Sequence, residues 1–94
     1  MEKYICLNIK YSYDHDTKIA KSIYVEIAME YNKPSRIDAA SAFEKDLKMF
    51  QKYEKYRGEF KKTDQFTWEL DNGTELEIFH IEPLDGNSYK KIFR

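Results

Sequence analysis

One cysteine, three glycines and two prolines are all that this 94-residue chain holds of those residue types. With Cys6 alone, neither an intramolecular disulfide nor a cysteine-based zinc site is open to it. Gly58, Gly73 and Gly86 stand apart from one another, so there is no glycine-rich phosphate loop. The low glycine and proline content also argues against a loop-rich scaffold. No apolar run approaches the roughly 20 residues that span a bilayer. The N-terminus enters an alternating apolar segment with no basic region, hydrophobic run or cleavage site ahead of it. The expectation is therefore a cytoplasmic protein with no membrane partner, or one that acts in a host's cytoplasm. Acids and bases nearly cancel, at 17 against 16. Overall charge thus points to neither a nucleic-acid binder nor a polyanion, and the distribution of charge matters more.

Aromatic residues are plentiful. Eight Tyr, six Phe and one Trp, within a 41% hydrophobic composition, supply a core for a single domain over residues 1–94 without metal or disulfide staples. The cations are 13 Lys and 3 Arg, and with abundant Ile, Tyr and Asn this usage fits an AT-rich genome, such as a low-GC bacterium or its phage.

Residues 4–13 alternate, with Ile5, Leu7, Ile9, Tyr11 and Tyr13 on one row and Tyr4, Cys6, Asn8, Lys10 and Ser12 on the other. Residues 19–31 repeat the pattern, with Ile23, Val25, Ile27 and Met29 inward. Period two marks half-buried strands, and the polar stretch 14–18 between them marks a turn. Pairing Ile9 with Ile23, Leu7 with Val25 and Ile5 with Ile27 keeps the apolar residues on one face. Cys6 falls on the outward row in this reading.

Pro34 breaks the second strand. Ser35 followed by Asp38 resembles a capping box, and a helix is expected to about Arg57, closed by Gly58. Ala39, Ala40, Phe43, Leu47 and Phe50 form its core stripe. Residues 66–70 and 76–78 read as a second hairpin. A three-residue loop with Gly73 in the left-handed region would pair Trp68 with Leu76 and Phe66 with Ile78. Residues 89–93 offer a further short strand. The expected architecture is α+β, ββαββ with a possible extra strand: one long helix packed on one face of a four- to five-stranded antiparallel sheet.

The charge pattern supplies the candidate sites. Glu26, Glu30, Glu69, Glu75 and Glu77 are expected on the outward sheet face with Tyr24 in the same row, and Glu69 opposite Glu75. Like charges opposed across strands are destabilising, so this face is read as a docking surface for a basic protein, set against the plainer reading of a solvated, charged sheet. Lys45, Lys48, Lys52 and Lys55 form a basic helix stripe, the alternative being a nucleic-acid-binding face that contacts phosphates. Met49, Tyr53, Tyr56 and Phe60 continue a second helical stripe from Ala42. That stripe is read either as a wide core flank or as a homodimer or partner interface.

No cofactor or metal is expected. The turn residues Asp14, His15 and Asp16 lack a second cluster to complete a site. His80 reads as a hydrogen-bonded core histidine, on the inward row unless a bulge turns Phe79 and Ile81 inward instead. No nucleophile has a histidine predictably beside it. The sequence thus favours a small non-enzymatic protein-binding module, an inhibitor or adaptor of the phage anti-host, antitoxin or immunity type.

Overall fold

The computed structural model describes residues 2–14, 16–53 and 58–84. Their order is β1 (Glu2–Tyr13), β2 (Ala20–Lys33), α1 (Arg36–Tyr53), β3 (Lys61–Asp64), β4 (Thr67–Asp71) and β5 (Glu75–Pro83). The strands form one antiparallel sheet in the order β2-β1-β5-β4-β3, with α1 packed on one face. This is the expected α+β architecture. Its fifth strand is Lys61–Asp64, a charged segment to which the sequence reading assigns no element. The expected strand at 89–93 and the last helical turn at 54–57 lie outside the described residues. Among the described residues, no helix is long and apolar enough to cross a membrane.

Helix α1 starts as its sequence dictates. The Asp38 amide donates to Ser35 Oγ at 3.2 Å, and the Ser35 hydroxyl donates to the Asp38 carboxylate at 2.9 Å. Ala39, Ala40, Phe43 and Leu47 then fall on the buried stripe, with Phe50 half-buried beside them. Phe43, fully buried, sits with its ring centroid 4.8 Å from that of Trp68 and 5.1 Å from that of Phe79. Tyr4, Cys6, Tyr31 and Ile81 complete the core under the helix.

The row beneath the helix is not the expected one. Tyr4 and Cys6 face α1, whereas Ile5, Leu7, Ile9 and Tyr11 lie on the opposite face. In the first half of β1 both rows are apolar, Tyr4 and Cys6 on one and Ile5 and Leu7 on the other, so alternation identifies a strand without saying which side the helix covers. The aromatic set decides it: Trp68 and Phe79 complement Phe43, and Tyr4 and Cys6 share their side of the sheet. Cys6 is accordingly fully buried rather than outward.

Both hairpin registers also differ. Ile9 pairs with Val25, Leu7 with Ile27 and Tyr11 with Ile23, two residues from the expected register, and a bulge at Ala28 sets Ile5 opposite Glu30. The turn is wider than the expected five-residue stretch. Asp14 Oδ1 accepts the amides of Asp16 and Thr17, the Asp14 amide donates to the Ile19 carbonyl, and Lys18 takes φ 59°. In the second hairpin Trp68 pairs with Phe79, not Leu76. Gly73 does adopt the left-handed region, at φ 96°. The loop, however, falls at 72–74, with Asp71 kept in β4, and Asn72 Oδ1 accepts the amides of Thr74 and Glu75. The resulting slip is odd, so it exchanges the faces of β5. Phe79 and Ile81 turn toward the helix, while Leu76, Ile78 and His80 turn away.

Phe43→Ala is expected to cost about 3–5 kcal/mol, because a fully buried ring is removed from an aromatic cluster. Gly73→Ala is expected to cost about 1–2 kcal/mol through left-handed strain alone. Urea denaturation followed by tryptophan fluorescence measures both.

Candidate functional site

Strand β2 has 14 residues and lies at the sheet edge, paired with β1 on one side. Its main-chain directions follow from hydrogen bonds to β1's other neighbour. The Tyr13 amide donates to the Thr74 carbonyl, and the Lys3 carbonyl accepts from the Leu84 amide, both on the β5 side. Odd residues of β1 therefore aim at β5 and even residues at β2. Asn8, Lys10 and Ser12 face Glu26, Tyr24 and Ser22, which makes those the hydrogen-bonded pairs. The amides and carbonyls of Ile23, Val25 and Ile27 are left pointing outward from the sheet. Among the described residues, no strand pairs with that side.

The side chains here are unusual for an edge. Ile19 is 66% exposed, Ile23 63%, Tyr24 52% and Ile27 37%. Natural edges are commonly blunted by proline, central lysines or bulges. Between Ser22 and Ile27 this strand has none of these, since Lys21 and Lys33 stand toward its ends and the two register shifts fall at Lys21 and Ala28. Ile23, Val25 and Ile27 share the helix-free face with Ile9, Tyr11, Leu76 and Ile78, forming one apolar band. Tyr24 and Glu26 lie on the helix side, where the Tyr24 hydroxyl donates to Glu26 Oε2 at 2.8 Å. That hydrogen bond, more than the carboxylate's charge or desolvation, raises the Tyr24 phenol above its ordinary value.

The six candidates Tyr24, Glu26, Glu30, Glu69, Glu75 and Glu77 do not form one surface. Tyr24, Glu26 and Glu30 are exposed along β2, with Glu30 on the helix-free face 3.7 Å from Lys3. Glu69 stands between Lys61 and Ile78 on that same face, so it does not oppose Glu75. Glu75 and Glu77 turn to the helix side. Glu77 is 9% exposed, accepts from Asn8 Nδ2 at 2.9 Å and lies 3.9 Å from Lys10 Nζ. It is a paired interior carboxylate and unavailable for docking. The odd register slip in the second hairpin divides the expected acidic face.

On the helix, Lys45, Lys48 and Lys52 are exposed, and Lys55 lies outside the described residues. Two acids near this stripe are engaged elsewhere, Glu44 with Lys62 at 2.7 Å and Asp46 with the Tyr31 hydroxyl at 2.5 Å. The second helical stripe divides. Ala42 and Phe60 pack against the core, with Phe60 5.1 Å from Phe79 between ring centroids, while Met49 and Tyr53 are exposed. Tyr56 lies outside the described residues.

A polar group at the helix start was not legible as a unit. Arg36 donates to the Ile81 carbonyl at 2.7 and 3.0 Å, lies 3.6 Å from Glu82, and stacks 3.8 Å over the Phe66 ring. His80 bonds Glu82 through Nε2 and the Thr67 hydroxyl through Nδ1, the latter at 2.7 Å. A hydroxyl, an imidazole and a carboxylate in line is the order of a nucleophile, base and orienting acid. Here Arg36 shares the carboxylate and binds the Ile81 carbonyl, so the group fastens the start of α1 to the C-terminal end of β5. The i, i+2 spacing of His80 and Glu82 was the available signal. Among the described residues, no group of three or more His, Cys, Asp or Glu could hold a metal ion. Comparison with protein-family models, curated proteins and solved structures finds no match.

Burial pushes the Cys6 thiol from its ordinary 9.0 up to about 12. The raised value favours the neutral thiol in the folded state. Its contribution to stability is full below the ordinary value and is lost as pH rises through 9.0 toward about 12. Native protein at pH 8 is expected to leave a thiol reagent unreacted until denaturant is added. Rapid labelling of folded protein would contradict the burial of Cys6.

Proposed function

We propose that this chain is a small, non-enzymatic protein-binding module of the inhibitor or adaptor type, acting in the cytoplasm, and that the outer edge of β2 is its docking strand. The observation that carries the reading is the unblunted stretch 22–27: outward-directed main-chain groups at Ile23, Val25 and Ile27, flanked by exposed isoleucines. An extended segment of another protein can add to such an edge. Main-chain hydrogen bonds then supply affinity, and alternate side chains supply specificity. Tyr24 and Glu26 give the helix side an aromatic and acidic character. Glu30 adds a negative charge beyond the bulge that favours a basic residue on the incoming strand.

The test is capture with the tagged protein from nuclease-treated lysate, comparing wild type with Ile23→Lys, Glu26→Lys, Glu69→Lys and the double variant Lys48→Glu, Lys52→Glu. The reading expects partner retention to fall with the two β2 variants and to survive the other two, with far-UV circular dichroism unchanged throughout. Retention lost only with the helix variant would place the binding surface on the lysine stripe instead.

A further inference from the structure

The open side of β2 has a symmetry that selects its occupant. We infer that the strand added to this edge is β2 of a second copy, antiparallel, about a twofold axis at Val25. The inference rests on the docking-strand reading and names the occupant of that edge when the protein is alone, a second copy that an incoming segment of another protein would displace.

In an antiparallel pair, outward-directed residues must oppose outward-directed residues. Ile23, Val25 and Ile27 are the outward set, so a twofold axis must fall on a residue and not between two. An axis at Val25 sets Ile23 against Ile27, Val25 against Val25 and Ile27 against Ile23, so all three exchange main-chain hydrogen bonds. The neighbouring choices each fail on a named contact. An axis at Glu26 opposes two glutamates at the centre. An axis at Tyr24 sets Ile27 against Lys21, and one at Ile23 sets Val25 against Lys21. An axis at Ile27 runs pairing into the bulge at Ala28. Past that bulge the main-chain directions exchange, because Met29 and Tyr31 pair with the even residues Cys6 and Tyr4.

The side chains agree with the Val25 axis. Ile23-Tyr24-Val25-Glu26-Ile27 has the same apolar alternation read in either direction, the self-complementarity that an isologous interface requires. On the helix-free face the three apolar residues of each copy meet, covering Ile23 and Ile27, two of the most exposed large apolar residues in the sheet. On the helix side Tyr24 faces Glu26 of the second copy, repeating a contact already made within one chain at 2.8 Å. Within the paired stretch 23–27 no like charges are opposed. The two sheets join edge to edge into one, and the open edge is removed.

Sedimentation velocity of the full chain should give a species of twice the chain's mass. Ile23→Lys should weaken its self-association roughly tenfold or more by placing a charge in the apolar row. Mild oxidation of Val25→Cys should give a covalent dimer, since hydrogen-bonded antiparallel partners lie about 5.5 Å apart between Cα atoms, within disulfide reach. Ile23→Cys should not link, because four residues at about 3.4 Å rise place it roughly 14 Å from its own mate. Buried Cys6 keeps the background low. A chain that stays monomeric at submillimolar concentration, or a dimer that links equally well at both positions, overturns the inference. A monomer whose capture of another protein is still lost with Ile23→Lys overturns self-pairing and leaves the docking strand standing. A dimer untouched by Ile23→Lys and unlinked by Val25→Cys, with capture also unchanged, overturns both.

Discussion

Strand β1 is the constraint on which the other elements depend. It is hydrogen-bonded to β2 on one side and β5 on the other, and Tyr4 to Asn8 are buried without a break. Over Tyr4 to Leu7 the strand is apolar on both rows, and that half cannot leave either face to water at small cost. The row of Tyr4 and Cys6 takes the helix, because Phe43, Trp68 and Phe79 fit together over it. The other row carries Ile5, Leu7 and Ile9 and draws Val25, Ile27 and Ile78 into the band beside it. The apolar character of the outer strand is thus a consequence of β1. An edge strand that continues a two-sided apolar sheet will be apolar on its own exposed side.

This explains where the sheet is satisfied and where it is not. At the β3 edge the strand is four exposed, polar or charged residues, Lys61 to Asp64, a short edge of the kind that resists further pairing. Lys62 there is held by Glu44 at 2.7 Å and lies over the Trp68 ring. At the β2 edge the strand is long and its central stretch is uncharged apart from Glu26. One sheet therefore has a guarded edge and an unguarded one. The difference lies in side chains, since both edges expose the same main-chain groups. The proposed docking role is drawn from that asymmetry.

Much of the fold was legible in the residues. Period-two alternation located β1 and β2, Ser35 and Asp38 located the helix start, and Ala39, Ala40, Phe43 and Leu47 located its buried stripe. Faces and registers were less legible, for a specific reason. Alternation has two phases, and in β1 both were apolar enough to be chosen. The second hairpin turned on where its loop falls: Asn72 Oδ1 caps the amides of Thr74 and Glu75, the loop sits at 72–74, and the resulting register exchanges the two faces of β5. That slip moved Glu77 inside and separated Glu69 from Glu75, so the expected acidic face divided. Tyr24 and Glu26 remained together on the helix side, while the bulge at Ala28 turned Glu30 to the other face. What the residues alone could not convey was that β2 stands at the edge, since strand order depends on β5 returning to pair with β1.

The central claim concerns the direction of main-chain groups in β2, and residue-resolved amide hydrogen exchange reads it directly. In dilute protein the amides of Tyr24 and Glu26 should be protected by β1, while those of Ile23, Val25 and Ile27 exchange freely. When the docking strand is occupied, by raised protein concentration or by a bound partner, Ile23, Val25 and Ile27 should gain protection together. Their amides remaining open under every such condition, while protection appears on the helix or on β3, would contradict the account.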